Sequence, residues 1–420
     1  MRWLWVAVAI TGCATTGAGT GRGEPVTVYE NAQVWTGDGF APRTLAVSGG
    51  RFVDPRRARR DVARVDLSGR WVVPGYGNAH AHITDPTPAA SAGYLKEGVF
   101  YVWNPNTIVM SAADKAFFAR PDTYDVKIAQ GGITEPGGHP ERLYVDYLTQ
   151  YVYKGRDRAW FVGNAFHYGS TRAEIDASLD RLRGQGAEFV KAYLLHSEEW
   201  EKRRGDPKFY GQKGLDPRNM PYLVRAARRR ELWVAAHLET AADLRAAARA
   251  GVKVAAHVPD YHGELEKGEG EVTEADARLV AGAGMLLVPT YSIAAQRFTA
   301  REGQPAPDLA KRDRAFGRQR LNLEQLKRAG ATFLMGTDGW GPIFEEAEHW
   351  VALGAFTPAE ATRVVLGTGA RLFPERRVGC FRAGCEADFL VLAGDPTRDV
   401  KALRLITDRI KAGKRVEVAS

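Results

Sequence analysis

The chain has 420 residues, 45% hydrophobic and 26% charged, a balance that excludes a disordered or fibrous protein and suits one large α/β domain with an appendage. Its formal net charge is +8. The densest basic runs, "RRARR" at 56–60 and "RRR" at 228–230, are short and not interleaved with aromatics, which argues against a nucleic-acid partner and for a solvated basic surface.

The chain opens with "MRWLWVAVAITGC": Arg2, then the apolar segment Leu4–Ile10, then small residues. That layout predicts an export signal over 1–12, too short to span a bilayer. Its ending, "ITGC", resembles the lipobox of bacterial lipoproteins, which implies lipidation of Cys13; an ordinary secretory signal with an incidental Cys13 is the alternative. Residues 13–24 are rich in Gly and Thr without apolar periodicity and read as a flexible tether. The expected location is therefore the bacterial cell envelope, anchored by lipid to the outer membrane or periplasmic. Membrane association is expected through that anchor alone.

From 25 to 72 the pattern is of short β pieces: "VTVYENAQVWTG", "TLAVSGGRFV" and "VARVDLSGRWVV". The last segment, 371–420, has the same texture in "ADFLVLAGD", "RLITDRIKAG" and "KRVEV", so the two ends are expected to pair into one small β-sandwich. Between them, residues 73–370 alternate. Strands are predicted at the run ending in His80, at "VFYVW" (99–103), "DVKIA" (125–129), "EFVKAYL" (188–194), "LWVAAH" (232–237), "VKVAAH" (252–257), "MLLVPT" (285–290) and "ATFLMGTD" (331–338). Helical patterns separate them, such as "STRAEIDASLDRLRGQG", where Thr171 and Glu174 form a capping-box pattern and Ile175, Leu179 and Leu182 share a face. Eight β units with helices between them predict a (β/α)8 barrel. "AWFVGNAF" (159–166) reads as a further strand. Cys380 and Cys385 flank "FRAG", which suits a hairpin loop and predicts a disulfide in an oxidising compartment.

In such a barrel the chemistry lies at the C-terminal ends of the strands. There the sequence places His80 and His82, Lys191, His237, His257 and Asp338. Residues i and i+2 on a strand share a face, so both imidazoles of "NAHAH" enter the barrel together and make half of a metal site. Singly, a strand-end histidine is more often packed than ligating, and Asp338 in "GTDG" would suit a turn. Their joint position favours metal. Lys191 puts an amine in an apolar strand, where burial favours the neutral form. A neutral amine adds carbon dioxide to give a carbamate able to bridge two ions; snorkelling, or pairing with Glu188, is the alternative.

In order, "PGYGNAHAH", "FVKAYL", "AAHLET", "AAHVP", "GTDG" and the closing "VGCFRAGCEADFLVLAGDPTRD" resemble the amidohydrolase superfamily, closest to its imidazolonepropionase-like and Xaa-Pro dipeptidase-like branch. The resemblance implies a barrel flanked by a β-sandwich built from both termini. It also implies a binuclear site in which His80, His82 and Asp338 hold one metal, His237 and His257 the other, and carboxylated Lys191 bridges them. Two zinc ions suit this donor set, which manganese, cobalt and iron also accept. The metals would make hydroxide available near neutral pH, and Asp338 would orient it and carry its proton to the leaving nitrogen. The implied reaction is hydrolysis of a C–N amide bond in a short peptide, as a dipeptidase would, or in a cyclic amide or other small molecule; oligomers are common among such barrels.

The family usually has Asp two residues before the first histidine, where this chain has Asn78, predicting a weakened supporting role. His139 in "GGITEPGGHPE", Tyr193 and His196 after Lys191, and His167 and Tyr168 in "NAFHYGS" are candidate substrate contacts, each with a structural alternative. Two rival functions stand beside the main one: a mononuclear deaminase or cyclic-amidine or lactone hydrolase without lysine carboxylation, and a non-catalytic surface binding protein on the same barrel.

Overall fold

A computed structural model describes residues 24–57, 62–82, 86–339 and 341–417. Cys13, the signal segment and all but the last residue of the tether lie outside the described residues. Among the described residues no helix is long and apolar enough to cross a membrane.

Five strands come first: Thr27–Trp35 (β1), Phe40–Ser48 (β2), Arg51–Val53 (β3), Ala63–Asp66 (β4) and Trp71–Pro74 (β5). Barrel strands follow at Tyr76–Asn78 (β6), Val99–Asn104 (β7), Asp125–Ile128 (β8), Gly132–Thr134 (β9), Phe166–Tyr168 (β10), Val190–Tyr193 (β11), Val234–His237 (β12), Val254–Ala255 (β13), Leu286–Leu287 (β14) and Thr332–Phe333 (β15). The chain closes with Phe389–Leu392 (β16), Ile406–Lys411 (β17) and Lys414–Arg415 (β18).

The terminal strands make one eight-stranded sheet in the order β18-β17-β16-β5-β1-β2-β3, with β4 on the first half of β1. It folds over a core that includes Val34, Val47, Phe52, Val72 and Phe389. Alternation of side chains along a strand lets β16 serve two cores: Phe389 and Val391 enter this one, while Leu390 and Leu392 enter the barrel's. Charge joins the two bodies as well. The Tyr101 hydroxyl donates to Asp388 Oδ2 at 2.6 Å, and Lys411 Nζ pairs with Asp125 Oδ2 at 3.3 Å. Cys380 and Cys385 are joined in a disulfide. They lie in a turn-rich connection, not in a hairpin between paired strands.

The barrel is the parallel (β/α)8 arrangement that the alternation predicts. β6 pairs with β7 and β7 with β8; β9, β11, β12, β13, β14 and β15 pair in succession. β8 and β9 are two halves of one barrel strand, broken at Gln130, whose φ is 62°. Backbone hydrogen bonds close the seams: Glu188 N–H to the Ile128 carbonyl at 2.9 Å, Ala79 N–H to Met335 at 2.7 Å and Asp338 N–H to His80 at 2.7 Å. Gly336 makes the last approach possible, because a Cβ there would stand 2.3 Å from Val288 and 2.9 Å from the His80 nitrogen.

Helix Arg172–Gly184 has the Thr171–Glu174 capping box, and Ile175, Leu179 and Leu182 are fully buried. Helix Leu309–Arg328 begins a dozen residues before the apolar pattern of "LNLEQLKRAG". Its buried face is partly polar, so hydrophobic period conceals it: Gln319 donates to the Asp260 carbonyl at 3.0 Å and Asn322 to Gly270 at 2.8 Å. The stretch 159–166 is no strand. Asp157 caps a short helix, Arg158–Phe161, and the extra strand β10 starts at Phe166 and pairs with β9 outside the barrel ring.

Candidate metal centre

The strand ends bring His80, His82, Lys191, His237, His257 and Asp338 around one cavity of about 290 Å³, whose wall also includes His139, Tyr193 and Tyr261. Donor atoms of His80, His257 and Asp338 lie within 4.8 Å of one another. His80 Nε2 and His82 Nε2 both converge on Asp338 Oδ1, at 3.0 and 2.9 Å. The imidazole centroids of His80 and His257, and of His257 and His237, are each 4.6 Å apart.

Hydrogen bonds assign the tautomers. His82 Nδ1 lies 2.7 Å from the Asn106 carbonyl, which only accepts, so Nδ1 carries the hydrogen and Nε2 is left with its lone pair. The Thr290 hydroxyl gives its one hydrogen to the Pro289 carbonyl at 2.7 Å, so at 2.8 Å it accepts from His257 Nδ1 and again frees Nε2. His237 Nε2 donates to Glu239 Oε1 at 2.9 Å, leaving Nδ1. Each of these rings is thus held by one nitrogen with the other available, the usual support of a metal ligand. A bare His82 Nε2 facing a carboxylate oxygen repels it unless positive charge is shared between them. That is the condition a bound divalent cation meets, and the donor set fits one.

Electrostatics agree. Burial, then the Lys191 charge, pushes His80 down to about 3, and burial holds His237 and His257 below the usual histidine range. These rings are neutral ligands at pH 7. In the metal-free protein burial opposes the charge of Asp338, but the facing His80 and His82 nitrogens, where they carry hydrogens in place of a cation, outweigh it and hold the carboxyl well below its ordinary value. Asp338 and Thr290 adopt left-handed backbone at φ 55° and 57°, a strained conformation for a β-branched threonine and a mark of sites where geometry is fixed for function. Lys191 is 1% exposed and does not snorkel. Nor does it pair with Glu188, whose carboxylate accepts from the Ile128 N–H at 3.0 Å. Burial lowers its amine to about 7, with Asp338 opposing.

Asn78 does not touch a ligand ring. Its Oδ1 accepts from the His80 N–H at 3.1 Å and its Nδ2 donates to the Thr337 hydroxyl at 3.1 Å, tying the first strand to the last. His139 stacks on His237 at 4.7 Å, and Tyr193 stands over Gly132, where a Cβ would meet its ring at 2.4 Å. The other three candidates for substrate contact are not among the described cavity residues. His167 and Tyr168 ride on β10, beside the ring of strands; the Tyr168 hydroxyl donates to Glu141 Oε2 at 2.9 Å. At His196 the backbone turns left-handed, with φ 51°, and carries the residue away.

Two features escaped the sequence. Glu239 bridges His237 and His262, with Oε2 at 2.7 Å from His262 Nε2, and stands two residues beyond His237, the same spacing that links His80 to His82. Tyr261 stacks on His257 at 3.8 Å.

The model of the amidohydrolase family matches residues 202–416, a span that holds His237, His257 and Asp338. No curated protein sequence matches the chain. Among solved structures it resembles the ochratoxinase of A. niger (TM-score 0.69, 20% identity, 94% of this chain and 96% of that one). It also resembles a Xaa-Pro dipeptidase with methionine bound in its active site (0.69, 18%, 93% and 100%) and molinate hydrolase (0.70, 14%, 94% and 95%). At these identities the likeness shows the fold. The matched family span covers more than half of the chain, and the chain belongs to the amidohydrolase family.

Proposed function

We propose that this protein is a hydrolase of C–N amide bonds that works with two divalent metal ions: His80, His82 and Asp338 would hold one, His237 and His257 the other, and a carboxylated Lys191 would serve both.

 The observation that carries this reading is the convergence of His80, His257 and Asp338 donor atoms within 4.8 Å, beside a fully buried amine. When bound, such ions lower the pKa of water and polarise a carbonyl. Zinc suits the histidine and carboxylate set.

The remaining work falls to the chain's own side chains. Asp338, ionised in the metal-free protein, takes the proton of the attacking water and delivers it to the leaving nitrogen. Tyr193 and Tyr261 hold their phenol protons, because burial raises both well above the usual range; Tyr193 stands in the wall as a hydrogen-bond donor, while the Tyr261 hydroxyl donates to Glu239 Oε1 at 3.3 Å. His139, pushed by burial to about 3, is a neutral donor or acceptor beside them. Glu239 fixes the His237 ring from behind. The disulfide supports an oxidising location, and with the signal-like N-terminus it supports export to the cell envelope.

Metal analysis tests the reading. Protein prepared with bicarbonate should hold two equivalents of zinc per chain, and Lys191→Ala no more than one. A single equivalent that bicarbonate does not alter would favour the mononuclear alternative. Asp338→Asn should bind metal and lose hydrolysis of a small amide by about 10³-fold or more.

A further inference from the structure

The cavity above the metal centre is small, and one wall of it continues outward. At about 290 Å³ it lies at the lower limit of ligand pockets, room for a scissile amide and modest flanking groups. Its outer wall is the run "LYVDYLTQYVY" (143–153), a π-helical stretch, Leu143–Leu148, followed by a helical turn, Thr149–Tyr151. Tyr144, Leu148 and Tyr153 face the cavity, and Tyr144 is anchored by a 2.8 Å hydrogen bond from Asn106 Nδ2. The opposite side of the same run is bare. Leu143, Tyr147, Tyr151 and Val152 are 42%, 57%, 65% and 55% exposed, half of the large exposed hydrophobic side chains among the described residues. Scattered apolar residues on a surface need no explanation, but a cluster marks a binding surface.

Position identifies the occupant. Leu143 belongs to both sets, lining the cavity and reaching solvent. Leu143, Tyr147 and Tyr151 recur at a spacing of four, which stacks them along one side of a helical segment, and the Tyr147 and Tyr151 rings are 5.3 Å apart. An apolar stripe therefore starts at the lip of the cavity and runs away from it. Among the described lining residues Lys191, at the floor, is the one lysine or arginine. Outside the metal centre itself, the described lining offers no partner for a charged arm.

Resting on the reading as an amide hydrolase, we propose that the substrate is a neutral amide with an extended apolar acyl chain, which leaves the cavity over Leu143 and lies along Tyr147, Tyr151 and Val152. Hydrolysis adds one water across the C–N bond: the acyl carbon gains the oxygen and the leaving nitrogen gains a proton, giving a carboxylic acid and an amine.

A series of N-acyl anilides, from acetyl to octanoyl, tests this on the full metal-loaded chain. Complete burial of a methylene is worth roughly fourfold in affinity, so even a half-open ledge should give an octanoyl-to-acetyl ratio of kcat/KM of about tenfold or more. The double substitution Tyr147→Ser and Tyr151→Ser, at positions too exposed to endanger the fold, should cut that ratio at least fivefold. A ratio near one, or one that the double substitution leaves unchanged, overturns the proposal. Calorimetric binding of the same anilides to Asp338→Asn separates the two levels. If no anilide is cleaved but octanoyl binds tenfold tighter than acetyl through Tyr147 and Tyr151, the amide reading fails and the apolar ledge stands. Sedimentation as a dimer that the double substitution dissolves would instead make the stripe an interface between copies, and would also overturn it.

Discussion

Lys191 and Lys411 are the two buried lysines among the described residues, 1% and 4% exposed, and they are buried in opposite ways. Lys411 lies where the terminal sheet meets the barrel, 3.3 Å from Asp125, with the buried Asp388 accepting from the next residue's N–H at 2.6 Å. Lys191 lies on a barrel strand beneath the cavity, among neutral imidazoles, and burial brings its amine to about 7. One lysine has been given its counter-ion; the other has been left in want of one. On the proposed reading the contrast separates a residue kept for cohesion from one kept for chemistry: an amine with no carboxylate in salt-bridge reach would become the site's anion by taking up carbon dioxide.

The largest test of this contrast is Lys191→Met. Activity should fall by about 10³-fold, the scale of losing a principal electrostatic anchor, while thermal denaturation of the metal-free protein shows stability unchanged or slightly raised. Lys411→Met should do the reverse. Urea unfolding should register a loss of about 2 kcal/mol, because Arg376 still holds Asp125 at 2.8 Å while the buried Asp388 loses the Lys411 charge, with kcat/KM of the folded fraction kept. A third test concerns pH. Between about 7 and the ordinary lysine value of 10.5, unfolded metal-free chain binds a proton at Lys191 that the folded chain does not. Stability should therefore rise with pH across that window, by up to about 1.4 kcal/mol per unit, and the excess slope should vanish in Lys191→Met; equal slopes would sink the contrast. The smallest effect belongs to Asn78→Asp. Its oxygen still accepts from the His80 N–H and the Thr337 hydroxyl can reverse its bond, so metal affinity and kcat/KM should stay within about threefold.

The barrel was legible because its strands are apolar runs that end in chemistry, and period two placed His80 and His82 on one face. The same period reaches from His237 to Glu239 within "AAHLET", but a carboxylate after a strand also looks like the start of a helix, and Thr240 does cap the next one. Proximity to a strand end fixed position and not direction. Tyr193 stays in the strand and lines the cavity, whereas the left-handed turn at His196 sends that ring elsewhere. His167 and Tyr168 ride on β10, which has the composition of a barrel strand yet pairs outside the ring, and neither is among the described cavity residues. The run at 143–153 has neither a strand's alternation nor a clean helical stripe, since its two sides are both apolar for different reasons.

The two-faced strand β16 has a consequence for how the molecule is made. It pairs with β5 more than three hundred positions earlier and supplies Leu390 and Leu392 to the barrel. Contacts that distant form slowly, and a chain emerging from the ribosome must wait for its final segment before that seam can shut. Assembly is in this sense governed from the tail, and a nascent chain halted before residue 389 would present an open sheet edge with no mate.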